Sequence, residues 1–317
     1  DQFIENAFEF DVDALCDGKE VFIAGIMQHI EEAGVHSGDS SCVIPPYDMS
    51  DKIKKDIIDM TTKLALELNV IGLINLQFAV KGNEAYVLEV NPRSSRTVPF
   101  VSKYSNVPLA NIAAQLSVGK KLKDFNLEEN NFNHIAVKKA VLPFKKFKNE
   151  KVFLGPEMKS TGEVMGIDSE PGMAFLKAMQ SDGYTVPNEG TAFVSISDID
   201  KKRALPIIRD LATLNFTIIA TKGTADFFTD NGIECTSIFK VGEGRPNVVD
   251  EILNDNIHLV INTPLGAQSR YDEEAIGKTS VMKNILTITT LAGAKAAIAA
   301  MSHLDQVSVK PLQEYFK

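Results

Sequence analysis

The sequence predicts two units of different class, an α+β unit over residues 1–182 and an α/β unit with a parallel sheet over residues 183–317. Three observations carry that expectation. Residues 75–91 form two strand-like runs joined by Lys81-Gly82-Asn83, a short polar turn whose Gly and Asn tolerate positive φ, as tight hairpins require. From Thr191 onward, short apolar runs alternate with helix-length segments, which implies parallel strands covered on both faces. Between the two patterns the composition shifts at Ser181-Asp182-Gly183 and Asn188-Glu189-Gly190, where a boundary is expected.

Residues 1–47 read as strand-rich. Phe8 to Val12 alternates apolar and acidic side chains, Asp17-Gly18-Lys19 is a turn, and residues 21–30 form a long apolar strand. Gly34-Val35-His36-Ser37-Gly38-Asp39-Ser40 follows. Its glycines expose backbone N–H groups and its hydroxyls and imidazole can reach a ligand, yet the same composition suits a plain polar loop. Residues 51–69 form an amphipathic helix, with Ser50 as N-cap and Ile53, Ile57, Met60, Leu64 and Leu68 at three- or four-residue spacing. It reads as scaffold packed on the hairpin. Val107-Pro108 opens a helix over 109–118 that Gly119 closes. Residues 125–133 read as an exposed acidic loop and 134–142 as a strand. Lys145-Lys146-Phe147-Lys148 reads as a solvated loop rather than an anion patch, and Pro171-Gly172 starts a helix to about residue 180.

In the second unit, strands are expected at 191–197, 216–220, 235–238, 258–262 and 286–289. Helices are expected at 201–214, 225–231, 247–254, 273–283 and 291–301. No pair of these units repeats in sequence.

The 317 residues suffice for two cored domains, and 44% hydrophobic with 24% charged residues is ordinary for a globular protein. A net charge of -9 without a long basic run argues against nucleic acid as the main partner, though not against nucleotides. Cys16, Cys42 and Cys235 are odd in number and far apart, so neither a disulfide framework nor a metal-ligand spacing is seen and a cytoplasmic location is expected. No stretch approaches about twenty uninterrupted apolar residues, so no membrane span is expected. The chain opens on Asp1 without a signal-peptide pattern or a start methionine, and reads as cut from something longer.

The hairpin holds the first candidate chemistry. Along residues 84–91, simple alternation puts Tyr86, Leu88 and Val90 on one face, expected to be buried, and Val87, Glu89 and Asn91 on the other. Gln77 lies across the hairpin. One carboxylate and two amide oxygens are hard ligands suited to a Mg²⁺ that keeps waters and touches phosphates, although a Glu-x-Asn on a strand is also an ordinary solvated face. Arg93 and Arg96 follow at once with planar forks suited to phosphate or carboxylate. The second candidate lies at the carboxyl ends of the later strands, where ligands of parallel sheets bind. Thr221-Lys222-Gly223-Thr224 joins a strand to a helix and reads equally as a plain turn and as a phosphate site. Lys240 could add charge, and Asn262 could read an amide-like edge of a base. It is not a P-loop, since the long glycine spacing is absent.

Gln77-Phe78-Ala79, Leu88-Glu89-Val90-Asn91-Pro92-Arg93 and Thr97-Val98-Pro99-Phe100-Val101-Ser102-Lys103 resemble the end of an ATP-grasp domain. More narrowly, they are similar to the carbamate-phosphorylating half of the carbamoyl-phosphate synthetase large subunit. Glu9 to Ala14, Gly34 to Asp39 and Gly155 to Gly166 extend the likeness. Ala220 to Thr224, Lys240-Val241-Gly242-Glu243-Gly244-Arg245-Pro246 and Ile261-Asn262-Thr263 resemble the methylglyoxal synthase-like, Rossmann-like domain that regulates that enzyme. The resemblance implies an ATP-dependent ligase that forms carbamoyl phosphate for pyrimidine and arginine synthesis. It implies Mg²⁺ or Mn²⁺ held by Gln77, Glu89 and Asn91, with catalytic roles for Arg93 and Arg96. It places ATP and a K⁺ near Glu9, Gly34, Val35, His36 and Ser37, with Gln77 and Glu89 also touching the nucleotide. It implies a UMP or IMP effector on Thr221, Lys222, Gly223, Thr224, Lys240, Asn262 and Thr263. A glutamine amidotransferase small subunit would bind through a preceding half, and an oligomer is implied. Where the family continues Asn-Thr-Thr, this chain has Pro264, which removes a hydroxyl and an N–H donor. No match to the catalytic aspartate pattern of methylglyoxal synthase is present. The chain alone is expected to be inactive. The rival readings are another ATP-grasp ligase and a pure effector-binding or assembly module.

Overall fold

The computed structural model describes residues 4, 7–31, 33, 35–128, 132–143, 157–263 and 270–316. Its first unit is a sheet of seven antiparallel strands: Phe8–Asp17 (β1), Val21–His29 (β2), Cys42–Ile44 (β3), Ile71–Lys81 (β4), Glu84–Asn91 (β5), Ile135–Val141 (β6) and Gly162–Asp168 (β7), in the spatial order β5-β4-β1-β2-β3-β6-β7. Asp51–Glu67 (α1) covers one face. Its N-cap Ser50 accepts from the Ile53 N–H at 3.3 Å, and Ile53, Ile57, Thr61 and Ala65 pack toward Val12, Ile74, Leu76 and Phe78. Leu68, expected in that stripe, is the C-cap and lies exposed. Val98–Ser105 (α2) and Leu109–Ser117 (α3) cover the other face against Leu15, Met27, Ile44 and Leu73.

The hairpin is present, with Lys81 paired to Glu84 around Gly82 at φ +60°. Two of its expected features are corrected. The register shifts at Gln77/Phe78, where Gln77 faces Glu89 but Phe78 faces Val87, so Leu88 is an extra, bulged residue. The bulge carries Tyr86 to the face of Glu89 and Val87 to the opposite one. Nor is an apolar face of β5 buried. It is an edge strand with a partner on one side only, and Tyr86, Val87 and Leu88 are exposed. The acidic loop after residue 125 is also less exposed than expected, since Phe125, Leu127 and Phe132 pack against the core under α2 and α3. The basic run at 145–148 lies outside the described residues.

The second unit is a parallel sheet of Gly190–Ile196 (β8), Phe216–Thr221 (β9), Thr236–Ile238 (β10), Leu259–Thr263 (β11) and Leu286–Ile288 (β12), ordered β10-β9-β8-β11-β12. Pro171–Ser181 (α4), Lys201–Ala212 (α5), Lys222–Asp230 (α6), Val248–Leu253 (α7), Arg270–Lys283 (α8) and Leu291–Met301 (α9) complete the order. The α6 helix starts directly at the end of β9, so Lys222, Gly223 and Thr224 form its first turn rather than a linking loop.

The two sheets share buried surface. Ala174, Phe175, Ala178 and Met179 of α4 lie in one apolar cluster with Val137 of β6 and with Ala294, Ala297 and Met301 of α9. Gly172 lets the helices close, since a Cβ there would stand 3.1 Å from the Ala300 nitrogen. The last turn returns to the first unit, where the Tyr315 hydroxyl donates to the Ile167 carbonyl at 2.8 Å and Phe316 meets Phe132 edge-on. Among the described residues no helix is long and apolar enough to cross a membrane.

Candidate functional site

The antiparallel register gathers polar side chains on the sheet face shared with α2 and α3. Glu9, Asp11 and Asp13 alternate along β1 on the side of Leu15. Asp11 pairs with Gln77 and Gln77 with Glu89, while Asp13 pairs with Asn75 and Asn75 with Asn91. Two rows therefore run from β1 through β4 to the edge strand. A third row continues the other way, from His29 to Cys42 to Lys138.

Glu89 is exposed and makes no hydrogen bond or ion pair among the described residues. Gln77 donates its amide N–H to the Ser37 hydroxyl at 2.8 Å, which turns its oxygen away from that contact. Asn91 Oδ1 accepts from Arg93 Nη2 at 3.0 Å and retains a second lone pair. The set offers one carboxylate and two amide oxygens on an open edge, which fits a hard divalent cation completed by water and phosphate. No cluster of three His, Cys, Asp or Glu capable of holding a metal occurs among the described residues.

The loop between β2 and β3 folds over the polar rows. His36 Nδ1 accepts from the Gly38 N–H at 3.0 Å, and the Ser37 carbonyl accepts from Lys138 Nζ at 3.1 Å. Asp39 accepts from the Lys159 and Ser160 N–H groups, both at 2.8 Å, and the Ser160 hydroxyl donates to the Gly38 carbonyl. Arg96 Nη1 reaches the Ser160 hydroxyl at 3.2 Å. Val35, His36 and Ser37 are thereby placed beside Gln77, with Arg96 anchored to the same loop assembly, whereas Gly34 lies outside the described residues.

Sequence reasoning missed the buried charges beneath. His29 Nδ1 lies 3.2 Å from Glu9 and Nε2 lies 3.4 Å from Asp11, the latter without hydrogen-bond alignment. Burial favours loss of the imidazolium proton, but Cys42 and Asp11 outweigh it and hold His29 well above its usual range. Lys138 is buried, which alone would lower its pKa, yet Cys42, Glu163, Asp11 and Glu31 raise it, so it stays cationic. The signal was the acidic alternation of β1, with two adjacent lysines, Lys138 and Lys139, inside an otherwise apolar β6.

At the carboxyl edge of the second sheet, Ile196, Thr221 and Thr263 end adjacent strands β8, β9 and β11. Thr221, Thr224, Asn262 and Thr263 are buried there, while Lys222, Gly223 and Lys240 are exposed. The Thr224 hydroxyl accepts from the Ile196 N–H and the Thr263 hydroxyl from the Ser197 N–H, both at 3.3 Å, so these two latch the strand ends together. Lys201 Nζ caps the Gly223 carbonyl at 2.7 Å. The first turn of α6 presents free N–H groups toward this edge. Pro264 lies outside the described residues.

Residues 1–125 match the family described as carbamoyl-phosphate synthase L chain, ATP binding domain, and residues 203–289 match the MGS-like domain. A carbamoyl phosphate synthase large chain of Archaeoglobus fulgidus is 52% identical over 99% of this chain and 30% of its own length. Those of Acidobacterium capsulatum and Methanobrevibacter smithii are each 51% identical over 99% of this chain, again over 30% of their own length. The chain thus spans about 30% of the length of these relatives. The antiparallel sheet with the polar rows thus falls largely in the part that matches the carbamoyl-phosphate synthase L chain ATP-binding domain, most of the parallel sheet falls in the part that matches the MGS-like domain, and nearly the whole chain is similar to carbamoyl phosphate synthase large chains.

Proposed function

We propose that this chain carries part of the ATP-dependent phosphorylation of carbamate to carbamoyl phosphate, and that its second unit binds a nucleoside monophosphate effector. The observation that carries the reading is the cross-strand pair Gln77/Glu89 beside Asn91 and Arg93 on the open edge of the sheet. Gln77, Glu89 and Asn91 would hold Mg²⁺ or Mn²⁺, which when bound neutralises charge on the ATP phosphates. Glu9, Val35, His36 and Ser37, with Gly34, would line the nucleotide side, and a K⁺ would sit nearby. Arg93 and Arg96 orient the transferred phosphoryl group or the carboxylate-like acceptor. Catalysis rests on positioning and charge, and no nucleophile is required of the cysteines.

The reading extends to a cytoplasmic enzyme of pyrimidine and arginine synthesis, assembled as an oligomer and supplied by a glutamine amidotransferase subunit. The boundary at 182/183 is part of it, falling between the last antiparallel strand and the first parallel one. In the complete large chain, Arg93→Ala is expected to lower carbamoyl phosphate formation from ATP and carbamate by about a hundredfold, the scale of one lost charge-stabilising group. Unchanged rates in this variant would remove the assignment.

The effector reading rests on the α6 N-terminus and Lys240 at the carboxyl edge of the second sheet. Because α4 shares the core of that sheet, its test uses the whole chain. Titration calorimetry with UMP and IMP is expected to show binding that Lys240→Ala weakens, more so at low salt. No heat with either nucleotide would leave this unit as an assembly module.

A further inference from the structure

Asp13 is 1% exposed and lies under the loop that carries both arginines. Its Oδ1 accepts from Asn75 Nδ2 at 3.0 Å and from the Ser95 hydroxyl at 2.7 Å, and its Oδ2 accepts from the Thr97 hydroxyl at 2.5 Å. Ser95 and Thr97 flank Arg96, and their own hydroxyls lie 2.8 Å apart. Thr97 stands at the N-cap of α2 yet makes no side-chain cap, because its hydroxyl is turned to Asp13. The fold gives up a local stabilising contact to tie this loop to β1.

The charge is held against the interests of stability. Burial, with a smaller contribution from the neighbouring Asp11, raises the Asp13 carboxyl to about 6 despite the three hydrogen bonds. A carboxyl whose folded value lies above its unfolded one binds more protons when folded. Its ionisation therefore destabilises the fold progressively as pH rises from about 4 through about 6, and the deficit persists above. An asparagine of the same shape would still accept from Asn75 and Ser95, but it puts an N–H where Oδ2 accepts from Thr97, so the two-point grip on Ser95 and Thr97 is broken. A carboxylate kept at that cost in stability points to a use for its two acceptor oxygens, which hold both hydroxyls at once.

We propose that Asp13 is a positioning residue for phosphoryl transfer: its buried carboxylate grips Ser95 and Thr97 and so fixes residues 95–97, holding the fork of Arg96 toward the transferred group. This rests on the proposed carbamate-phosphorylating site. The test is made in the complete large chain with Asp13→Asn, Ser95→Ala, Arg96→Ala, the double variant Asp13→Asn/Arg96→Ala, and Glu89→Gln as reference. Carbamoyl phosphate formation from ATP and carbamate and the melting temperature at pH 8 are measured for each.

Asp13→Asn is expected to lower kcat by about 10- to 100-fold, the scale for groups that orient a working side chain, with the KM for ATP and the melting temperature not made worse. Ser95→Ala should lower kcat in the same direction. In the Arg96→Ala background, Asp13→Asn should add little, because both act through one contact. Wild-type kcat in Asp13→Asn, or fully multiplicative losses in the double variant, would overturn the proposal while a slow Glu89→Gln leaves the site standing. Full activity of Glu89→Gln would remove the site reading and this proposal with it.

Discussion

Glu89→Gln in the complete large chain is expected to lower carbamate phosphorylation by at least about a hundredfold, with the melting temperature unchanged. The two halves of that result have separate causes. Glu89 lies on an edge strand, is exposed, and makes no hydrogen bond or ion pair among the described residues. Replacing it by its isosteric amide therefore breaks nothing in the fold, and surface changes of that kind stay within about 0.5 kcal/mol. The chemistry depends on it differently. Of the trio Gln77, Glu89 and Asn91, it alone carries charge, and a hard cation binding through two neutral amides loses its main anionic oxygen. Removing one electrostatic stabiliser from a transition state costs about a hundred- to a thousandfold in rate. Initial rates over a Mg²⁺ titration, with melting curves on the same samples, decide it. Near-normal turnover at low Mg²⁺ would show that Glu89 holds no metal, and a large melting shift would show a structural role instead.

What was legible in the sequence follows how local each signal is. The hairpin, the Ser50 cap and the β/α alternation depend on neighbours a few residues apart, and all stand in the structure. The convergence of Gln77 with Glu89 stands too, but through the bulge: the turn's own register would set Gln77 against Leu88, and the extra residue brings Glu89 opposite it. The bulge at Leu88 was not legible, since a register shift belongs to the pairing of two strands rather than to either one. The α2 helix escaped because Pro99 reads as a breaker, whereas at the start of a helix its missing N–H costs nothing. The exposure of β5 depends on strand order, which alternation cannot report. Asp13 shows the same limit in the site. Its acidic neighbours along β1 were visible, but its meeting with Ser95 and Thr97 joins residues more than eighty positions apart. Lys138 and His29 likewise became site residues only once β2, β3 and β6 lay side by side.

Gly166→Ala is expected to destabilise the protein by about 3 kcal/mol or more, at the upper end of what overpacking costs. Gly166 sits on β7 opposite Val137, under helix α4. A Cβ built on it would lie 2.0 Å from the Ala174 carbonyl oxygen and 2.5 Å from the Ala178 nitrogen. Both are backbone atoms of one helix, so no side chain can rotate away and α4 as a body must move outward. That movement is blocked on the far side. Across Gly172, α4 is set against α9, where a Cβ would already stand 3.1 Å from the Ala300 nitrogen and 3.3 Å from the Ala296 oxygen. The strain therefore passes into the cluster of Ala174, Phe175, Ala178, Ala294 and Ala297 that the two sheets share. At roughly 2–4 °C per kcal/mol for a protein of this size class, the melting temperature should fall by about 6–12 °C. Gly162→Ala is the control on the same strand, since its Cβ would meet nothing within 4 Å, and it should melt within about 2 °C of the parent. Equal melting of Gly166→Ala and Gly162→Ala would mean that α4 does not lie against β7 as described, and that the contact between the two units is looser than the shared core implies.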